Sequence, residues 1–256
     1  MKRNLRTLIV LAGAIFLVSA GFIIFNFTGN NDLDNFKKET NESSKQSLIS
    51  EQEFVPNPID FNKLKGISKD IIGWIQVPGT VIDYPILQSS NNEEAESFKE
   101  DYYIERDMYG KKKKAGSIYI QKYNFSNFSD PNTIIYGHNM ANGSMFGSLK
   151  KFRNEDFFKK NDSIIIYTEN KIATYKIYSA FVHNDRHILS DYDFSKEKGQ
   201  QEFINLTYNP NTKTKQIRKD IKVTTDDNLI TLSTCTNRDE ERYLVVAVLE
   251  KVQYTK

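Results

Sequence analysis

This chain of 256 residues contains one cysteine, one tryptophan and three histidines, and each scarcity excludes something. A lone Cys235 rules out an internal disulfide framework, so packing or reactivity has to account for it. The histidines leave little for a metal. His183 and His187, beside Asp185, have ligand chemistry, but no second cysteine or HExxH-type spacing accompanies them. They read as surface loop histidines; no metal and no cofactor is expected. Charge of a single sign is also lacking. Removing Lys2, Arg3 and Arg6 from 35 basic residues leaves 32 against 33 acids, so the remainder is near neutral. No nucleic-acid partner is expected from that balance. The run Lys111-Lys112-Lys113-Lys114, between Gly110 and Gly116, reads as a solvated hairpin turn. No repeat of 20–50 residues and no βαβ rhythm appears, which argues against a solenoid and a doubly wound parallel sheet.

Long apolar runs are scarce too, and the exception is informative. Residues 8–27 carry no charge. At about 1.5 Å per residue in a helix they would span about 30 Å, the depth of a bilayer core. A secretory signal is the competing explanation, but its apolar region is typically about 7–15 residues and ends at a small-residue cleavage site. Here Phe22, Phe25 and Phe27 follow Ala20-Gly21, which favours an uncleaved anchor. Lys2, Arg3 and Arg6 place the N-terminus in the cytoplasm and the rest outside. The expected organisation is a basic tip at 1–7, a transmembrane anchor at 8–27, a solvated stalk at 28–53 and one folded domain at 54–256.

Within that domain the hydrophobic rhythm is mostly period two. Phe61, Leu64, Ile67 and Ile71 predict a short helix after Pro58 and Asp60. Gly73 to Val77 and Val81 to Tyr84 predict strands joined by a type II turn with Pro78-Gly79 at its centre, and Pro85 suits an edge or bulge. A charged helix is predicted from Glu93 to Arg106. Strands are predicted over residues 117–121, 133–136, 163–168 and 172–182, and a short helix around Met145, Phe146, Leu149 and Phe152. Between His187 and Asn228, Asp193 or Ser195 would cap a helix running to Tyr208, stopped by Pro210, and residues 215–223 return to extended structure. About eight strands result, so a mostly antiparallel closed β-barrel with helical insertions is the simplest architecture.

The chemistry concentrates near the C-terminus. Residues 228–234 are short, β-branched and alternating, and Cys235 stands at their end. After the turn-forming Thr236-Asn237-Arg238-Asp239-Glu240-Glu241, a second strand begins at Arg242. Thiol and guanidinium therefore meet on facing strand ends. Alternation puts Thr231, Ser233 and Cys235 on one more polar face, a setting that suits a reactive thiol beside a cation. His138 lies just past the strand Thr133-Ile134-Ile135-Tyr136, across Gly137, where a cleft position is expected. A buried structural cysteine with Arg242 in an ion pair is the plainer alternative, making the chain a non-catalytic anchored barrel.

The string Thr231-Leu232-Ser233-Thr234-Cys235 followed by Arg242 resembles the TLxTC…R signature of the sortases, membrane-anchored cysteine transpeptidases of Gram-positive bacteria. The resemblance extends over residues 55–252, through Ile72-Gly73-Trp74-Ile75, Val77-Pro78-Gly79-Thr80, Gly116-Ser117-Ile118-Tyr119 and Tyr136-Gly137-His138-Asn139-Met140, in family order. The insertion between His187 and Asn228 is similar to class B. The lack of a second apolar segment after Val252 and of an acidic calcium cluster points the same way. The resemblance implies an eight-stranded sortase barrel, with Cys235 as nucleophile, His138 as general acid and base, and Arg242 holding substrate or oxyanion; Ser233 and Thr234 would line the substrate groove. It implies exported proteins bearing a sorting signal as donors and an amine of peptidoglycan, or of its lipid-linked precursor, as acceptor. A surface thiol peptidase using water instead is the alternative.

Overall fold

The computed structural model describes residues 54–90, 102–238 and 240–256. The anchor at 8–27, the stalk at 28–53, most of the expected charged helix and Asp239 lie outside the described residues. No helix among the described residues is long and apolar enough to cross a membrane.

Helix α1, Phe61–Ile67, forms where the apolar spacing predicts it. Asp60 caps it, Oδ1 accepting from the Lys63 N–H at 2.9 Å, which satisfies one of the first-turn donors. The helix stops before Ile71, which instead opens strand β1, Ile71–Gln76; the chain reverses into β2, Asp83–Leu87. Gly79 has φ +80° and the Thr80 N–H donates to Val77 O, as a type II turn around Pro78-Gly79 requires. Pro85 sits inside β2, but β3 pairs with β2 only from Ile86 onward, so Pro85 lies outside that ladder. Of the charged segment only residues 102–106 are described, with Tyr102–Glu105 as a 3-10 turn. The lysine run lies on a hairpin, bridged Arg106 to Lys112, and all four side chains are exposed.

The remaining strands are β3 (Ile118–Ile120), β4 (Asn132–Tyr136), β5 (Ser163–Tyr167), β6 (Lys171–Asn184), β7 (Lys215–Ile217), β8 (Leu229–Cys235) and β9 (Glu241–Tyr254). They form the order β5-β1-β2-β3-β4-β8-β9-β6-β7, and an added β5–β6 pairing closes the first eight into a barrel. Only β2–β3 and β4–β8 are parallel. The expected barrel is therefore correct, mixed but mostly antiparallel. A 3-10 helix, Phe146–Arg153, and α2, Glu155–Lys160, cover one end of the core. The insertion before β8 contains α3, Ile188–Asp191, which the sequence reading missed, and α4, Glu197–Tyr208. The α4 N-cap is Lys196, not the expected Asp193 or Ser195; the Ser195 hydroxyl is spent donating to Asp193 Oδ1. Beyond β7 the predicted extended run at 215–223 becomes turn and loop.

Alternation divides the side chains of β8 and β9 between two cores. Ile230, Leu232, Val245 and Ala247 point into the barrel with Ile75, Ile135 and Ile177. Leu229, Leu244, Val246 and Val248 point outward, where Phe203 and Ile204 of α4 cover them. This is why β9 is apolar on both faces from Tyr243 to Val248. Burying Phe203 and Ile204 contributes about 1.5–3 kcal/mol each, enough to fix the insertion against the strands that end at the site.

Candidate active site

The parallel β4–β8 ladder matters most, because two parallel neighbours end at the same barrel rim. Its last rung pairs Tyr136 with Ser233, so Gly137-His138 and Thr234-Cys235 leave the ladder side by side at one rim. The two ends are tied. Thr234 Oγ1 donates to Gly137 O at 2.7 Å, and the Gly137 N–H donates to Ser233 O at 3.3 Å. Gly137 is needed for close approach: a Cβ there would stand 2.4 Å from Ile118 Cδ1 and 2.9 Å from Phe146 Cγ. The His138 carbonyl accepts from the Phe146 N–H at 2.9 Å, which turns the chain sharply away after the histidine.

The antiparallel β8–β9 ladder ends with Cys235 directly opposite Arg242, and the β6–β9 ladder sets Arg242 opposite His183. Directly opposed residues share a sheet face, so thiol, guanidinium and imidazole form a row across three strands. Cys235 is exposed, which removes the buried-cysteine explanation. Arg242 is half-buried, with Nη1 donating to the Glu241 carbonyl at 3.1 Å. The turn is braced by Glu241, whose carboxylate accepts from Arg238 at 3.0 Å and Thr236 at 3.2 Å.

His138, Cys235, Arg242, Ser233 and Thr234 all line one cleft of about 530 Å³. Ser233 and Thr234 are nevertheless buried, and the Thr234 hydroxyl is committed to the Gly137 carbonyl. The histidines taken as surface loop residues are corrected: His183 belongs to β6, and both His183 and His187 are half-buried in the cleft wall. His187 Nε2 donates to Gln121 Oε1 at 2.5 Å, and its ring lies 6.3 Å from Tyr136. Burial pushes the His183 imidazole below its ordinary pKa; Asp191 opposes this and Arg186 reinforces it. No sequence signal marked His183, because its significance comes from a cross-strand partner 59 positions away.

A thiol, an imidazole and a guanidinium converging at the rim of a closed barrel define a site for cysteine-based acyl transfer. A family model described as the Sortase domain matches residues 75–250. Sortase B of Listeria monocytogenes is 34% identical over 192 residues, 72% of this chain and 70% of that protein. Sortase B of Staphylococcus aureus is 30% identical over 257 residues, 98% of this chain and 99% of its own. The structure titled Staphylococcus aureus sortase B-substrate complex superposes with TM-score 0.63 at 28% identity, covering 86% of this chain and 99% of that one. The chain belongs to the sortase family, the cysteine transpeptidases, and its similarity is to class B.

Proposed function

We propose that this sortase is held at the outer face of the cell membrane by residues 8–27. There it would cleave the sorting signal of exported proteins and join the freed carboxyl end to an amine of peptidoglycan or its lipid-linked precursor. One observation carries the assignment of roles: the only cysteine of the chain is exposed, directly opposite Arg242, and lines one cleft with His138.

The Cys235 sulfur, its proton passed to His138, attacks the carbonyl carbon of the scissile peptide bond, and the carbonyl oxygen takes up negative charge. Arg242, reaching in from the facing strand, stabilises that oxygen or the adjoining substrate backbone; its charge is permanent, so no proton has to move. His138 gives a proton to the departing nitrogen as the C–N bond breaks, leaving a thioester on Cys235. An acceptor amine then attacks the thioester carbonyl and passes its proton to His138, which returns it to the departing sulfur, and the thiol is restored. Ser233 and Thr234 shape the cleft floor beside the nucleophile.

The test is mass spectrometry of the full chain in detergent, incubated with a panel of sorting-signal peptides with and without an amine acceptor. A mass increase on Cys235, resolved by the amine into a ligated product, is expected. Product containing water alone in the presence of the amine would make the enzyme a peptidase. A wild-type chain that neither cleaves nor forms an adduct, matching Cys235→Ala, would overturn the proposal.

A further inference from the structure

A second groove, of about 330 Å³, lies between the β3–β4 connection and the segment joining α3 to α4. Phe125, 68% exposed, and Tyr123, 39% exposed, stand on one side; Tyr192 and Phe194 stand on the other. Exposed aromatic rings clustered about one groove, unlike a single exposed ring, mark a binding surface. The exposure of Phe125 does not arise from a loosely held loop. Asn124 is buried and tied at both ends of its amide, Nδ2 donating to Asn132 O at 2.9 Å and Oδ1 accepting from the Ile134 N–H at 2.9 Å. The Phe125 N–H donates to Asp130 Oδ2 at 2.7 Å, and Asn228 Nδ2 donates to the Asp130 carbonyl at 2.9 Å. The ring is therefore presented by a pinned backbone, an arrangement that lowers the ordering cost of binding.

The floor is polar. Asn132, which lines the groove, is fully buried; its Oδ1 accepts from the Thr231 hydroxyl at 2.9 Å, while its Nδ2 is buried without a partner. An unused buried amide donor costs free energy that a ligand acceptor would recover. Asp130 lines the same groove, and burial raises its carboxyl above the ordinary carboxylate range, so it gains from hydroxyl donors in place of lost water. The groove also adjoins the catalytic cleft. The Tyr123 ring stands edge-on to His187 at 6.4 Å, and His187 lines the cleft.

Aromatic walls over a floor of one amide donor and one carboxylate match a pyranose, whose faces are C–H and whose rim carries hydroxyl and acetamido groups. An extended peptide would seek a free strand edge, but β4 is paired on both sides, by β3 and β8. An acyl chain would leave Asp130 and Asn132 unmatched. Lys122 Nζ already lies 5.7 Å from the Tyr123 ring, so Phe125 is the principal platform. We propose that this groove holds the N-acetylated glycan of the wall acceptor, presenting the attached peptide amine toward Cys235. The part about presentation rests on the transpeptidase function proposed above; the glycan site does not.

The probe is the β-1,4-linked tetramer of N-acetylglucosamine, titrated calorimetrically into the full chain in detergent. Binding is expected, weakened about five- to tenfold by Phe125→Ala, the worth of one stacked ring, and restored by Phe125→Trp. The KM for a glycan-bearing muropeptide acceptor should rise by a similar factor in Phe125→Ala. Thioester formation from a donor peptide and the KM for a bare amine peptide should not change. Absence of tetramer binding to the wild type, or equal affinity in Phe125→Ala, overturns the glycan site even if adducts form normally. Slower thioester formation in Phe125→Ala also overturns it, by making the residue a support of the cleft. Phe125-dependent tetramer binding in a chain that forms no adduct upholds the groove and refutes the transpeptidase function separately.

Discussion

Cys235 and Arg242 are the last pair of the β8–β9 ladder, directly opposite each other where the strands open into the turn. Nothing can be inserted between them without changing the turn, so their relation is set by backbone hydrogen bonding and not by side-chain packing alone. Arg242→Lys keeps the charge but removes the planar fork. Turnover should fall about 100-fold or more, the size of losing one oxyanion donor, with circular dichroism unchanged. A lysine variant working at the wild-type rate would remove Arg242 from the proposed chemistry.

His138 stands outside regular hydrogen bonding past β4, so replacing its ring should leave the barrel intact. His138→Gln should lower turnover by about 100- to 10,000-fold, the usual contribution of a general acid and base. Stopped-flow measurement of both thioester formation and its resolution by amine should find both slowed. An effect confined to one step would restrict the residue to that step.

The two strand ends are joined through Gly137. Gly137→Ala would drive a methyl group into Ile118 and Phe146, which should cost about 1–3 kcal/mol by overpacking. The same displacement would move His138 away from Cys235. Urea denaturation and peptide cleavage should therefore both suffer, whereas a purely structural defect would lower stability alone.

His183 gives a pH dependence with a defined sign. Its folded pKa lies below the unfolded value near 6.5, because burial disfavours the charged ring. At neutral pH both states are uncharged there and nothing is lost. As pH falls below about 6.5 the unfolded chain takes up a proton that the folded chain resists, so stability declines. Urea midpoints measured between pH 7.5 and 5 should fall, and His183→Gln should make that decline shallower. An unchanged slope would show that His183 does not contribute.

Phe203 of α4 is fully buried on the outer faces of β6, β8 and β9. Phe203→Ala should cost about 3–5 kcal/mol. Cleavage should weaken as well, since α3 and the cleft wall from His183 to Ile188 precede this helix on the same insertion. Thermal denaturation together with donor-peptide KM would check both.

Much of the site could be read along the chain because its parts lie at strand ends, and strand ends are marked by local composition. Alternation located β8, the polar turn located the β8–β9 hairpin, and Tyr136-Gly137-His138 marked the end of β4. The helix missed at Ile188–Asp191 is only 4 residues long, too short to show a period. His183 and His187 were misjudged for a different reason. Nothing local distinguishes a loop histidine from one whose strand continues as far as Asn184.

Sequence alone determined the elements and the reactive residue types: the run of β-branched residues, the unique thiol, the arginine seven positions on, and the histidine after a glycine. It also determined that thiol and guanidinium would face one another, since a hairpin is a local structure. Tertiary structure decided the rest. The parallel β4–β8 pairing, which joins Asn132 to Leu229 across 97 positions, brings His138 and Cys235 to the same cleft. No local propensity encodes which distant strands pair. That choice follows from burying two apolar faces of the same sheet at once, one inside the barrel and one beneath α4. The same closure turned Cys235 outward into a cleft, and so made an isolated cysteine available for chemistry.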